Sequence, residues 1–249
     1  MPPALGLLGS GEFEPWAERV DRWLIDSSAT ASDRVIVLPT ASAPEGDDVF
    51  DRWARLGVEH YERMGVAPEV LSLKTRSDAF RPELAARLAG AGMVFFSGGN
   101  PAHLVRALHG TPFWDALLAT VAGGTSLGAC SAGVSMLGRL TADTAVEELR
   151  PDAWVEGMGF FPRVVFGPHW DALDRYRPGL RALVLEVYPK ECAFIGIDER
   201  TAILGDGRTF RVEGLGGVSL IPPRAAGVRL ARGETFRLEA PPTEYAPPA

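Results

Sequence analysis

The chain has 249 residues, 46% of them hydrophobic and 23% charged, with a net charge of −7. That length and balance suit a globular α/β domain with a full core and exclude a disordered chain. The acidic balance argues against a nucleic-acid partner, which needs a basic face, and against an anionic membrane surface.

The start "MPPALGLLGSGEF" has neither the basic flank nor the apolar length of a signal peptide. Within it "ALGLLGS" (4–10) reads as a buried strand, and "PWAERVDRWLID" (15–26) carries apolar residues at helical spacing. "RVIVLPT" (34–40) is a second strand ending on Pro39, followed by a long helix over 47–65 with Asp47 or Asp48 near its N-terminus. Further short apolar runs are "EVLSL" (69–73), "GMVFFSGG" (92–99), "TSLGAC" (125–130) and "RVVFG" (163–167). Helical patterns fall at 82–89, 101–109, 112–122 and 171–187. This alternation predicts right-handed crossovers and a mostly parallel sheet covered on both faces, a three-layer α/β sandwich.

From about residue 192 the rhythm changes to short strands and glycine turns: "AFIGID", "TAILGDGRTFRVEG", "GGVSLIP" and "GVRLARGETFRLEA". These predict C-terminal antiparallel β-hairpins closing one edge of the same domain. Residues 1–240 are thus expected to form a single domain, and 241–249 a loose proline-rich tail. No run approaches the ~18 apolar residues of a membrane span, and a cytoplasmic protein is expected. Only Cys130 and Cys192 occur, too few for a disulfide framework or a Cys-rich zinc site.

Ligand sites in such sheets lie at the carboxyl ends of the strands. Four strand ends carry unusual loops, "GSGEF" (9–13), "SGGN" (97–100), "CSAG" (130–133) and "GPHW" (167–170), and "GIDER" (196–200) follows in the C-terminal region. In "GACSAGVSMLG" (128–138) a serine and a cysteine adjoin. A strand-to-helix turn that exposes a nucleophile is cramped, so its neighbours two before and two after must be small. Ala129 and Gly133 satisfy this around Ser131, and Gly128 and Ala132 around Cys130; spacing leaves the two tied. A packing turn with a buried cysteine and a capping serine fits the same residues. In "SGGN", Gly99 could aim a backbone N–H at a substrate oxygen while Asn100 touches substrate; a plain turn with a capping asparagine is the simpler reading.

A serine nucleophile needs a base, and the base a carboxylate. His60 and His109 fall on helix surfaces, where solvated histidines are expected, and His103 lies one turn into a helix. His169 alone stands in a strand-end loop. Carboxylates within reach of the argument are Asp171, Asp198, Glu199, and Glu147 or Glu148.

Taken together, "CSAGVS", "SGGNPAHLVRAL", "HWDALDRYRPGLR" and "GIDERTAIL" resemble, in order, the motifs of the S51 peptidases, the family of aspartyl dipeptidase and cyanophycinase. The resemblance runs from residue 5 to about 221. It implies a class I glutamine amidotransferase-like (flavodoxin-like) sandwich and acyl transfer to water. Ser131 would be the nucleophile, His169 the base and Glu199 the third member, with Asp198 and Asp171 as alternatives. Gly99 and Ala132 would supply the oxyanion N–H groups. Substrates would be small peptides with aspartyl character, and Arg163, Arg175, Arg177 and Arg181 crowd around His169 in sequence; among them Arg175, with Asn100, is the expected substrate contact. The chain departs from the family at Val134, where alanine is usual, and at Trp170, where phenylalanine is usual.

Two other readings stay open: a Cys130-dependent amidohydrolase of the glutamine amidotransferase type, and a silent binding relative that keeps the cleft. No cluster has metal-ligand spacing, and neither a metal nor a cofactor is expected. The expected partners are a small peptide and, in assembly, a second copy forming a homodimer; neither nucleic acid nor membrane is expected.

Overall fold

Apolar runs of four or five residues are too short for helices, and their β-branched and aromatic side chains suit a sheet buried on both faces. A computed structural model describes residues 3–144, 153–239 and 242. Glu147, Glu148 and the expected tail, Pro242 apart, lie outside the described residues. The strands β1 (Leu5–Leu8), β2 (Arg34–Leu38), β3 (Ala67–Val70), β4 (Met93–Phe96) and β5 (Ser126–Cys130) run parallel in the spatial order β1-β5-β4-β2-β3.

Alternate strand residues feed two cores. Leu7, Ile36, Val94 and Leu127 pack with α4 (Pro101–Leu108) and α5 (Pro112–Ala122). Leu8, Val37 and Phe95 pack on the other face with α1 (Glu18–Asp26) and α2 (Asp47–Arg63). The helices begin where expected for simple reasons. Pro101 and Pro112 occupy first-turn positions that lack an N–H acceptor anyway, and Asn100 and Thr111 accept from the backbone N–H three residues on. The short α3 (Pro82–Ala86) completes this half.

The second half departs from expectation in one helix. The pattern over 171–187 is not one helix but two, α7 (Leu173–Tyr176) and α8 (Leu180–Val187), after α6 (Ala132–Met136). Pro178 is the cause: it pushes Arg177 to φ −153°, ψ 118°, and Gly179 turns the chain at φ +81°. The C-terminal strands are shared between two sheets. After the antiparallel pair β6 (Leu140–Ala142) and β7 (Trp154–Glu156) comes β8 (Val164–Gly167), which pairs parallel with β9 (Ala193–Ile197). With β12 (Val218–Ile221) and β13 (Val228–Leu230) they form a second, four-stranded sheet. Only β10 (Thr201–Gly205), β11 (Thr209–Gly214) and β14 (Thr235–Arg237) extend the first sheet, antiparallel, from β1.

The two sheets meet at Gly9. Its N–H donates to Thr201 O at 2.8 Å, and its carbonyl accepts from His169 N–H at 3.3 Å. A Cβ there would lie 2.1 Å from Asp198 O, so only glycine allows this approach. The strand ends of β1, β5 and β4 are thereby set against those of β8 and β9. Among the described residues no helix is long and apolar enough to cross a membrane.

Candidate active site

Ser131 ends β5 with its backbone at φ 49°, ψ −109°, a conformation that serine rarely adopts. Such strain typically costs about 1–3 kcal/mol and persists only where the surroundings impose it. Here the imposition is visible: Ser131 N–H donates to Leu8 O at 3.0 Å, and Gly133 approaches Phe96 too closely for any side chain. The turn presents the Ser131 hydroxyl to His169, itself at φ 52°, with Oγ 2.9 Å from Nε2. The other ring nitrogen, Nδ1, lies 3.0 Å from Glu199 Oε1. An ionised carboxylate can only accept, so Nδ1 carries the proton and Nε2 is left to accept from Ser131.

Glu199 is held from four sides. Tyr176 O–H donates to Oε1 at 2.6 Å, Arg175 donates to Oε2 at 3.0 Å, and the Glu199 N–H donates to Asp171 Oδ1 at 2.8 Å. Burial pulls its carboxyl upward, but the bonds from Tyr176 and His169 and the Arg175 charge outweigh that and hold it below the ordinary glutamate range. Tyr176 answers in kind: its bond to Glu199, then burial, push the phenol up to about 12.

Of the three candidate carboxylates, then, Glu199 reaches the imidazole. Asp171 grips the Glu199 backbone and also faces Arg175 at 3.7 Å. Asp198 is buried, paired with Arg229 and bonded to Gly217 N–H at 2.9 Å. Arg175 is engaged by Glu199 and Asp171. Arg181 lies over the Trp170 ring at 4.8 Å. Arg163 is not near His169 at all: it precedes β8 and borders a separate hollow of about 410 Å³ with Ala193, at the opposite end of these strands. Asn100 is buried, its amide accepting from His103 N–H and donating to Asp143.

The N–H groups around Ser131 divide cleanly. Those of Ser131 and Gly98 are spent, the latter on Glu12 Oε1 at 2.8 Å. Those of Gly99 and Ala132 have no acceptor among the described residues, and both residues line the pocket that contains Ser131. Gly99 sits at φ 140° with the Ala41 backbone where a Cβ would be, so the loop shape requires glycine.

Cys130 points the other way. Fully buried, its thiol donates to Glu12 Oε2 at 2.8 Å, and burial with the Glu12 charge raises its pKa well above the thiol range. Glu12 is the residue that sequence reasoning passed over. Its signal was present, an acid between glycines and a phenylalanine in "GSGEF", directly after a buried strand. Tyr176 was likewise missed, although it stands one helical stretch beyond His169.

His60 corrects the expectation of a solvated histidine. It belongs to the inward face of α2 with Phe50, Gly57 and Tyr61, is fully buried, and meets Asp21 at 2.7 Å. His103 hydrogen-bonds Lys74 O at 2.9 Å, away from the site, and His109 is exposed.

The fold and site define a class: a mostly parallel α/β sandwich with serine, histidine and glutamate in hydrogen-bonded series across its strand ends. The model of peptidase family S51 matches residues 5–213, and the chain belongs to that family. It is 32% identical over 201 residues to a cyanophycinase of Synechococcus elongatus, covering 77% of this chain and 60% of the relative. A cyanophycinase of Trichormus variabilis is 26% identical over 227 residues, covering 88% and 74%. The chain thus spans 60% of the length of the first of these relatives. Among solved structures, a peptidase from an acI-B1 Actinobacterium superposes with a TM-score of 0.87 at 28% identity, over 96% of this chain and 98% of that one. A putative peptidase E protein from Listeria monocytogenes EGD-e, at 18% identity and TM-score 0.61, shares the fold over 87% of this chain and 100% of its own.

Proposed function

We propose that the protein is a serine peptidase that hydrolyses small peptides through an acyl-enzyme on Ser131. The observation that carries this reading is the unbroken line from Ser131 Oγ, on a strained strand-end turn, through His169 to Glu199. Ser131 Oγ attacks the scissile carbonyl carbon while His169 Nε2 takes its proton. The C–N bond then breaks, His169 gives that proton to the leaving amine, and the acyl group stays as an ester on Ser131. Water repeats the sequence: His169 deprotonates it, the ester breaks, and the proton returns to Ser131 Oγ. Glu199 keeps the imidazole in the required tautomer and offsets the charge it gains. The free N–H groups of Gly99 and Ala132 receive the oxyanion; losing one such donor typically costs about 10²–10³ in turnover.

The cysteine alternative needs a thiolate, and the surroundings of Cys130 favour the neutral thiol. The test is labelling with an organophosphonate, located by peptide mapping, together with hydrolysis of a dipeptide panel by wild type and Ser131→Ala. Label on Ser131 and loss of hydrolysis in the variant are expected. Equal activity in the two proteins overturns the reading.

A further inference from the structure

The expectation of an aspartyl substrate sets a chemical requirement. A carboxylate taken out of water needs a fixed cation or several donors, because an unpaired buried charge costs several kcal/mol. The pocket that opens on Ser131 and His169 offers neither among its described residues. Its walls beyond the catalytic groups are chiefly Pro101, Trp154, Phe166, Leu173, Leu180 and Val184, and no described lining residue other than His169 is ionisable. Arg175, the cation expected to meet substrate, is held by Glu199 and Asp171. At about 150 Å³ the pocket is smaller than the ~300–1,000 Å³ typical of sites that swallow a whole ligand. Its size suits one side chain. The same pocket is bounded by Ser131, Ala132 and Gly99, so a side chain seated in it lies beside the attacked carbonyl. The polar ground lies elsewhere: Ser10, Glu14, Asp171, Glu199 and Arg200 border a separate open cleft behind the triad acid.

We propose that the pocket formed by α7, α8, Trp154 and Phe166 selects an apolar side chain, of leucine or phenylalanine size, on the residue that supplies the scissile carbonyl. The proposal rests on the serine-peptidase reading above. It is tested with free and N-acetylated X–Ala dipeptides in which X is Leu, Phe or Asp, using wild type, Ser131→Ala and Leu173→Arg. Leucine or phenylalanine at X is expected to give kcat/KM about 100-fold or more above aspartate, since the aspartyl carboxylate would find no ionic partner among the described lining residues. Leu173 is only half-buried, so arginine there is tolerable and should raise the aspartate-to-leucine ratio at least tenfold. Ser131-dependent hydrolysis in which wild type matches or prefers aspartate overturns the pocket inference alone. No hydrolysis of any member, or hydrolysis that survives Ser131→Ala, overturns the serine-peptidase reading and the pocket inference with it.

Discussion

Two carboxylate–imidazole pairs lie among the described residues, one half-exposed and one sealed. His169 and Glu199 sit 3.0 Å apart with side chains 26% and 29% exposed; His60 and Asp21 sit 2.7 Å apart at 0% and 1%. The residue types are nearly the same, yet the carboxyl groups are driven in opposite directions. Glu199 is held low by Tyr176, His169 and Arg175 against modest burial, whereas complete burial raises Asp21 despite its bond to His60. The sealed ring is also walled by Phe13 and Tyr61, with centroids 5.7 and 5.0 Å away. No substrate reaches it. The same contrast separates the adjacent Cys130 and Ser131, one facing the core and the other the pocket. Chemistry here is decided by access and by the charge environment, and residue identity alone does not assign it.

The largest effect that could break this contrast is at the proposed nucleophile. Ser131→Ala should lower kcat by about 10⁴-fold or more in a folded protein, since removing the nucleophile of a triad leaves only binding and oxyanion stabilisation. Cys130→Ala should stay within about tenfold. A steady-state assay of both variants, with circular dichroism as the check on folding, decides; the reverse ranking would make the buried cysteine the reactive group. Next comes Asp21→Ala, which strands a buried imidazole. We expect a loss of about 3–5 kcal/mol in urea unfolding, the usual result of removing one member of a buried pair. The surviving folded fraction should keep kcat/KM within a few-fold of wild type. A large fall in kcat/KM at unchanged stability would mean that the sealed pair takes part in turnover.

What could be read from the sequence follows the same line between local and non-local causes. The parallel strands are legible because each is a short apolar run closed by glycine or proline. Ser131 and His169 are legible because each follows such a run directly. The carboxylate is not: Asp171, Asp198 and Glu199 stand equally close in sequence, and family resemblance rather than spacing favours Glu199. Which of them meets the ring depends on Arg229 drawing Asp198 inward and on Asp171 turning to the Glu199 backbone. His60 misled because a histidine on a charged helix looks solvated, while its partner Asp21 lies on another helix 39 residues away. The division of the C-terminal strands between two sheets was out of reach for a related reason. Each turn is local, but the choice between two sheets is set by pairing with β1 and β8, far upstream.

The exposed pair can be sharpened further by separating its two acids. Glu199→Gln should reduce kcat by about 10²–10³, because the amide can hold the wrong tautomer and cannot offset the imidazolium charge. Asp171→Asn leaves an acceptor for the Glu199 N–H and should cost less than tenfold. Steady-state kinetics across pH on both variants gives the comparison, and a larger loss in Asp171→Asn would move the third role to Asp171.

The smallest expected effect concerns Tyr176, whose phenol donates to Glu199 and stays protonated through the alkaline range, its pKa raised to about 12. Removing the hydroxyl in Tyr176→Phe should let the Glu199 carboxyl rise toward the ordinary glutamate value. A carboxyl depressed in the folded state contributes stability above its unfolded pKa, and that contribution is lost as pH falls through the folded value. Tyr176→Phe should therefore be less stable than wild type at pH 7, by about 1 kcal/mol or less, since a bond to an ion at a largely exposed site is partly replaced by water. The difference should close once pH falls below the folded-state pKa of Glu199, where both proteins carry it neutral. Urea midpoints of both proteins, taken in steps from pH 7 downward, measure it. A deficit that persisted unchanged at the lower pH would assign the contribution of Tyr176 to its ring contact with His169, 5.6 Å between centroids, in place of its hydrogen bond.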